Sequence, residues 1–156
     1  MNLESIINIL KKRHLTLSTA ESCTAGRVSA MISSISGVSE VFIGGVVAYN
    51  SDIKSQLLGV NKNDIELYDV VSEQVVKQMV KGVCTLMNSD IAIAVSGYAG
   101  PTTGNPHIPV GTIWIACGTN NTIFTKCLHL NNDRIKNVER ASNEALILLS
   151  DFLSSL

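Results

Sequence analysis

Three groups of residues in this chain have the types needed for acyl transfer without a metal. The first is Ser22, within Ser18-Thr-Ala-Glu-Ser-Cys-Thr-Ala-Gly26. The second is Tyr49 with Lys54. The third is the small-residue loop Ser96-Gly-Tyr-Ala-Gly-Pro-Thr-Thr-Gly104. A serine hydroxyl is a weak nucleophile until a neighbouring base takes its proton, and lysine or tyrosine can do this in amide hydrolysis. A lysine acts as a base near neutral pH only when it is desolvated or set near another cation. A single helix lysine is by default solvated. Ser51-Asp-Ile-Lys54 also reads as Ser-x-x-Lys, with both side chains on one face of a helical turn. That pattern fixes only two identities, and its partner motifs Ser-Asp-Asn and Lys-Thr-Gly are absent. Cys23 is a further candidate, because a thiol at a helix N-terminus can have a lowered pKa. Glycines in the 96–104 loop let a ligand reach backbone N–H groups.

Other chemistries find little support. There is no GxSxG elbow, Walker loop, GxGxxG or HExxH. Cys23, Cys84, Cys117 and Cys127 make no CxxC, and His14, His107 and His129 have no metal spacing. No metal or cofactor is therefore expected. A net charge of −1, three Tyr, three Phe and one Trp remove the basic patch and the stacking surface that nucleic acid requires. No apolar run has the length of a membrane span, and the N-terminus lacks the pattern of a secretory signal. The expectation is a soluble cytoplasmic protein. At 156 residues, 46% hydrophobic and 16% charged, the chain suits one domain, residues 1–156, with a substantial core.

The elements that must position these groups follow from periodicity. Leu3, Ile6, Ile7 and Leu10 predict a helix over 3–13, and Leu15–Thr19 a short first strand. Val28, Met31, Ile32 and Ile35 predict a helix over 24–35, stopped by Gly37. Its free N–H groups would face an anion or an oxyanion, with Glu21, Ser22 and Thr24 at its start as capping residues or more. Val41–Tyr49 reads as a strand whose Gly44-Gly45 marks a bulge or a close approach. Ser51 is expected to cap a short helix that ends at Gly59, and residues 60–70 to be irregular or briefly helical. Ser72 is expected to cap a long helix through Met87. Ile91–Val95 reads as a central strand. Val110–Cys117 and Thr122–Leu130 read as a hairpin, and Asp133 as the cap of the last helix. About five strands with helices on both faces is the simplest parse, an α/β protein. In such a sheet ligands bind beyond the carboxyl ends of the strands, where all three groups fall.

Four motifs in order then resemble a known family. Ala20-Glu-Ser-Cys-Thr-Ala-Gly26, Gly44-Gly-Val-Val-Ala-Tyr49 with Lys54, Val71-Ser-Glu73, and Val95-Ser-Gly-Tyr-Ala-Gly-Pro-Thr102 with Pro109-Val-Gly-Thr-Ile-Trp-Ile-Ala116 are similar to the C-terminal domain of the competence/damage-inducible protein CinA. They match equally the stand-alone nicotinamide-mononucleotide deamidases, PncC. The resemblance spans nearly the whole chain. It implies a three-layer α/β/α sandwich with a mixed, mostly parallel sheet, and a homodimer. It also implies hydrolysis of the carboxamide of nicotinamide mononucleotide to nicotinic acid mononucleotide and ammonia, with Ser22, Tyr49 and Lys54 as catalytic residues. Many CinA proteins carry an N-terminal domain with pyrophosphatase activity, which is not expected of this chain.

With this substrate in mind, Glu21 is expected near the pyridinium charge, and backbone N–H groups at the start of the 24–35 helix at the oxyanion. Cys23, Thr24, Gly45, Ser96, Gly100 and Thr102 are the other expected substrate contacts. The phosphate is assigned to Arg140 with the 97–104 loop, Arg134 being the other candidate. The sequence departs from the family at Ser96 (usually Thr), at Thr102-Thr-Gly-Asn-Pro106 (usually glycine-rich), at Asn132-Asp-Arg134 (usually Gly-Asp-Arg) and at Val138 (a basic position). A non-catalytic nucleotide- or partner-binding relative and an amidase for another small carboxamide are the alternatives.

Overall fold

A run that is apolar or small at every position, Ile91–Gly97, forms the middle strand of the sheet, where both faces are covered. In the computed structural model, which describes residues 2–156, β1 (Leu17–Glu21) and β3 (Ile91–Gly97) pair in parallel. β2 (Phe42–Val47) adds in parallel to the other side of β1. β4 (Thr112–Gly118) and β5 (Ile123–His129) extend the sheet beyond β3 as antiparallel strands, giving the order β2-β1-β3-β4-β5. The expected α/β class, five strands and mixed sheet are found. The parallel share is smaller than expected, two of the four pairings. The reason lies in the connections. A parallel neighbour needs a crossover, usually helical. The chain provides α2 (Arg27–Ser33) before β2, and α3 (Ser51–Leu58), α4 (Lys62–Tyr68) and α5 (Glu73–Met87) before β3. Residues 98–111 form no helix, so the chain leaving β3 turns straight back.

The two faces are packed differently. On one, α1 (Leu3–Arg13), α2 and α6 (Arg134–Ser155) cover large side chains of the sheet, among them Leu17, Ile91, Ile93, Val95, Ile113 and Ile115. On the other, α5 lies over Ala20, Ala92, Ala94 and Ala116. Side chains alternate between faces along each strand, so the split follows from the sequence with period two. The alanine face offers little bulk, and α5 supplies it with Val76, Met79, Val80 and Val83. Fully burying each such side chain stabilises by about 1.5–3 kcal/mol. α5 also needs Gly82, because a side chain there would collide with the Leu58 carbonyl.

Several boundaries move. β1 starts two residues beyond the expected Leu15 and runs on to Glu21. α2 begins at Arg27 rather than at 24, after a turn with Ala25 and Gly26 both at positive φ. Asn50, not Ser51, caps α3, its side chain accepting from Asp52 N. Residues 62–68 are helical. The caps expected at Ser72 and Asp133 and the stop at Gly59 are in place.

Candidate active site

Topology brings the chemistry together. β2, β1 and β3 run parallel, so their carboxyl ends share one edge of the sheet. β1 is in the middle, and Ser22, directly after it, is flanked by the loop after β2 and the loop after β3. β4 carries the chain away and β5 returns it. α6 therefore also starts at this edge and delivers Arg134.

The turn after β1 is built around Glu21. Its side chain is only 1% exposed. Oε2 accepts from Gly26 N and Val28 N, both at 3.0 Å, and Oε1 from Ser29 N at 2.8 Å and Ser29 Oγ at 2.7 Å. The carboxylate thus caps α2 from within a strand, satisfying amides that every helix start leaves free. This corrects two expectations. Glu21 has no oxygen to spare for a pyridinium, and the first amides of α2 are not open to an oxyanion. The other helices that start at this edge are capped by Asn50, Ser72 and Asp133. The amides that remain are those of Cys23 and Thr24. Neither N–H has an acceptor on another of the described residues, the Cys23 N–H meeting only its own sulfur, whereas Ser22 N donates to Val95 O and Ala25 N to Ser22 O.

Lys54 is among the largest fully buried side chains of the described residues, 1% exposed. One turn into α3, it points back into the sheet edge. Its Nζ donates to Ser22 Oγ at 3.0 Å, to Ala48 O at 2.9 Å and to Tyr49 O at 3.3 Å. No carboxylate of the described residues forms an ion pair with it. Burial disfavours the ammonium and lowers its pKa from the ordinary 10.5 to about 8. Two neutral carbonyls hold two of its protons, and the third direction faces Ser22 Oγ. Once that proton is lost, the amine lone pair faces the serine hydroxyl. The default of a solvated helix lysine does not apply.

Cys23 is the opposite case. Burial pushes its thiol up to about 12, only partly offset by its backbone hydrogen bond and by Arg134 and Lys54. The expected lowering fails because α2 starts four residues later and spends its amides on Glu21. At neutral pH Cys23 is a packed thiol, and Ser22 is the group set against Lys54.

Ser22, Cys23, Tyr49, Lys54, Ser96 and Thr102 line one cleft of about 170 Å³. Ser51 lines its rim too. Tyr49 is half exposed, and its hydroxyl accepts from Arg134 Nη2 at 2.8 Å, while Lys54 Nζ meets Ser22 Oγ directly at 3.0 Å. Arg134 Nη1 donates to Gly100 O at 2.6 Å, so the guanidinium bridges the loops after β2 and β3. A cation in the first turn of α6 works against the helix dipole, yet here it is held by two partners across the cleft. A second groove, of about 500 Å³, lies beyond Arg134 and shares Arg134 and Ala99 with the cleft. A larger concavity of about 530 Å³ between α3 and α5, with Leu57, Lys81 and Leu86, lacks such a pairing of nucleophile and base.

The other predicted side chains do not line the cleft. Thr24 is buried, and its hydroxyl finds no partner among the described residues. Gly45 is a packing position, since a side chain there would collide with Thr19 Oγ1. Gly100 lines the outer groove. Arg140 is one and a half turns further along α6 and pairs with Glu144 at 3.3 Å, so Arg134 is the arginine at the cleft. Sequence reasoning missed Tyr98 and Val70 in the lining. Val70 sits beside Asp69, a non-glycine residue at φ 76, and its carbonyl accepts from Ser96 Oγ at 2.9 Å. Aspartate before an irregular segment was the one available signal. Among the described residues no three His, Cys, Asp or Glu side chains converge as a metal site would need, and no helix is long and apolar enough to cross a membrane.

Known proteins share this arrangement of elements. A competence-damaged protein (CinA) superfamily protein from Klebsiella pneumoniae superposes with a TM-score of 0.93 at 32% identity, covering 100% of both chains. The corresponding superfamily protein from Escherichia coli gives 0.88 at 29% identity over 96% of this chain and 89% of that one. A CinA-like protein from Pseudothermotoga lettingae is 42% identical over 153 residues, which are 98% of this chain and 38% of that protein, so the chain spans well under half of that curated relative. The CinA C-terminal domain family matches residues 2–153, and the chain belongs to that family.

Proposed function

We propose that this chain is an amidohydrolase that converts nicotinamide mononucleotide to nicotinic acid mononucleotide and ammonia. The observation that carries the reading is the buried Lys54 Nζ, 3.0 Å from Ser22 Oγ, with its pKa lowered to about 8. Ser22 Oγ attacks the carboxamide carbon while the neutral Lys54 amine takes its proton. The amides of Cys23 and Thr24 donate to the oxyanion of the tetrahedral intermediate. Collapse breaks the C–N bond, and the Lys54 ammonium gives its proton to the departing nitrogen, which leaves as ammonia. Water then attacks the acyl-enzyme. Lys54 accepts the water proton and returns one to Ser22 Oγ as the carboxylate product departs. Tyr49 helps through Arg134, which it holds at the rim.

The size of the cleft supports a substrate only partly enclosed. About 170 Å³ accommodates a planar ring with its carboxamide, whereas cavities for whole drug-sized ligands run to roughly 300–1,000 Å³. The ribose and phosphate then extend past Arg134, whose forked guanidinium suits a phosphate.

Ammonia release from nicotinamide mononucleotide tests the reading. Ser22→Ala is expected to lower kcat by about 10³-fold or more. Arg134→Ala raises KM about tenfold, and Arg140→Ala changes it less than twofold. Wild-type turnover by Ser22→Ala would remove the nucleophile assignment. Binding without turnover by the unaltered protein would favour a non-catalytic relative.

A further inference from the structure

The proposed substrate ring carries a positive charge, and the cleft has no acid to meet it. Its lining includes two cationic side chains, Lys54 and Arg134, and no carboxylate. Glu21 has both oxygens bound to the start of α2. The partner for the charge must be sought one layer back. Tyr98 lines the cleft from the loop after β3, on the opposite flank of Ser22 from Tyr49. Its hydroxyl donates to Asp69 Oδ1 at 2.9 Å. That carboxylate also accepts from Val71 N at 2.9 Å and from Asn105 Nδ2 at 3.0 Å. Gly104 backs the ring: a Cβ there would lie 3.1 Å from Tyr98 Cε1 and from its hydroxyl. Thr103 fixes the same loop, its hydroxyl proton shared between Asn105 O and Ile108 O and its oxygen accepting from Asn105 N. Asp69 itself is at φ 76, a conformation that a non-glycine residue keeps only where its surroundings over-determine it.

This construction has an electronic consequence. A phenol that donates to a carboxylate becomes more electron-rich, and the negative face of an aromatic ring attracts a cation. Burial, and then the Asp69 carboxylate, raise the Tyr98 pKa, so the phenol keeps the proton it donates. Asp69 thus lends its charge to the cleft through the tyrosine without exposing an acid that could pair with Lys54.

We propose that Tyr98, polarised by Asp69, is the specificity-determining residue that recognises the positive charge of a planar heteroaromatic ring and discriminates against its neutral counterpart. Tyr98 is the contact and Asp69 a positioning residue. The proposal rests on the amidohydrolase reading for the identity of the ring.

The test is calorimetric titration with two probes that differ chiefly in charge, 1-methylnicotinamide (cationic) and nicotinamide (neutral). The wild type is expected to bind the cation about five- to tenfold more tightly. Tyr98→Leu brings that ratio to about one. Tyr98→Phe keeps the ring and loses the bond to Asp69; it and Asp69→Asn each lower the ratio by about two- to threefold. The ratio is taken within each protein, so a change in folded fraction cancels, and the Phe and Asn variants stand in if Tyr98→Leu does not fold. A wild-type ratio near one, or a ratio unchanged in the variants, overturns the proposal. Ammonia release is measured alongside. A preserved ratio without hydrolysis would sink the reaction and leave charge recognition standing, and hydrolysis with a ratio near one would do the reverse.

Discussion

Glu21 and Lys54 are both 1% exposed, and both sit within one residue or one hydrogen bond of Ser22. The protein treats these two buried charges in opposite ways. Glu21 receives four hydrogen bonds, three from backbone amides carrying the partial positive charge of a helix start. Lys54 receives three oxygens, none of them ionised. A charge matched by donors and by a dipole is scaffold. A charge matched only by neutral acceptors is held in its ionised form weakly, and burial then moves its proton affinity towards neutrality. The lesson is that depth alone does not mark a reactive group; the chemistry of its acceptors does.

The largest effect that would break the contrast comes from Lys54→Met, which keeps the length and removes the amine. Its kcat for ammonia release is expected to fall by about 10²–10⁴-fold, while its Tm rises by about 2–8 °C because the burial cost goes with the charge. A comparable fall in Tm would mean that Lys54 is matched as well as Glu21 is. Next comes Glu21→Gln, which puts an amide N–H₂ against donors. Thermal unfolding should show a loss of about 6–15 °C, with turnover by the folded protein reduced less than in Lys54→Met.

The smallest effect, and the one that sharpens the contrast, is pH dependence. The neutral amine is the working form, so kcat/KM should fall about tenfold per unit below about pH 8 and level off above it. The folded pKa of about 8 is below the ordinary 10.5. Between those values the unfolded chain holds a proton that the folded one has released. The Lys54 contribution to stability therefore rises with pH across that window. Denaturant titrations at pH 7.5 and 10 should detect the rise in the wild type and its loss in Lys54→Met.

Much of this was readable in the sequence, and the failures share a cause. Asp133, Ser72 and Gly59 act within a few residues of where they stand, so helix starts and stops could be read directly. The continuous apolar run Ile91–Val95 placed β3 in the interior. Glu21 could not be read, because a strand residue caps a helix that begins after an intervening turn; Ser22 to Gly26 has the composition of a helix start but folds as a turn, and the helix begins at Arg27. Arg134 and Arg140 stand on one helix, and only the return of β5 to this edge, which helical spacing does not encode, puts the start of α6, and so Arg134, at the cleft. The Tyr98–Asp69 bond joins residues 29 apart in the chain, and nothing local couples them. The antiparallel turn after β3 was visible in principle. Residues 98–111 hold glycines and prolines and lack a helical period, which rules out a helical crossover there.

The strand order has a consequence for how the activity comes into being. Ser22 follows the strand at the centre of the parallel trio, and its partners arrive from a later edge strand, a third strand and the last helix. Every one of these contacts closes a long stretch of chain, and such closures are entropically costly until the hydrophobic layers repay them. Ser22, Tyr49 and Lys54 all fall within the stretch from β1 to α3, whereas Arg134 meets Tyr49 across 85 residues and reaches the cleft only when α6 docks. If the chain runs the proposed reaction, nucleophile and base can therefore meet before the rim closes, and regain of full substrate affinity during refolding reports docking of α6 rather than formation of the first strands.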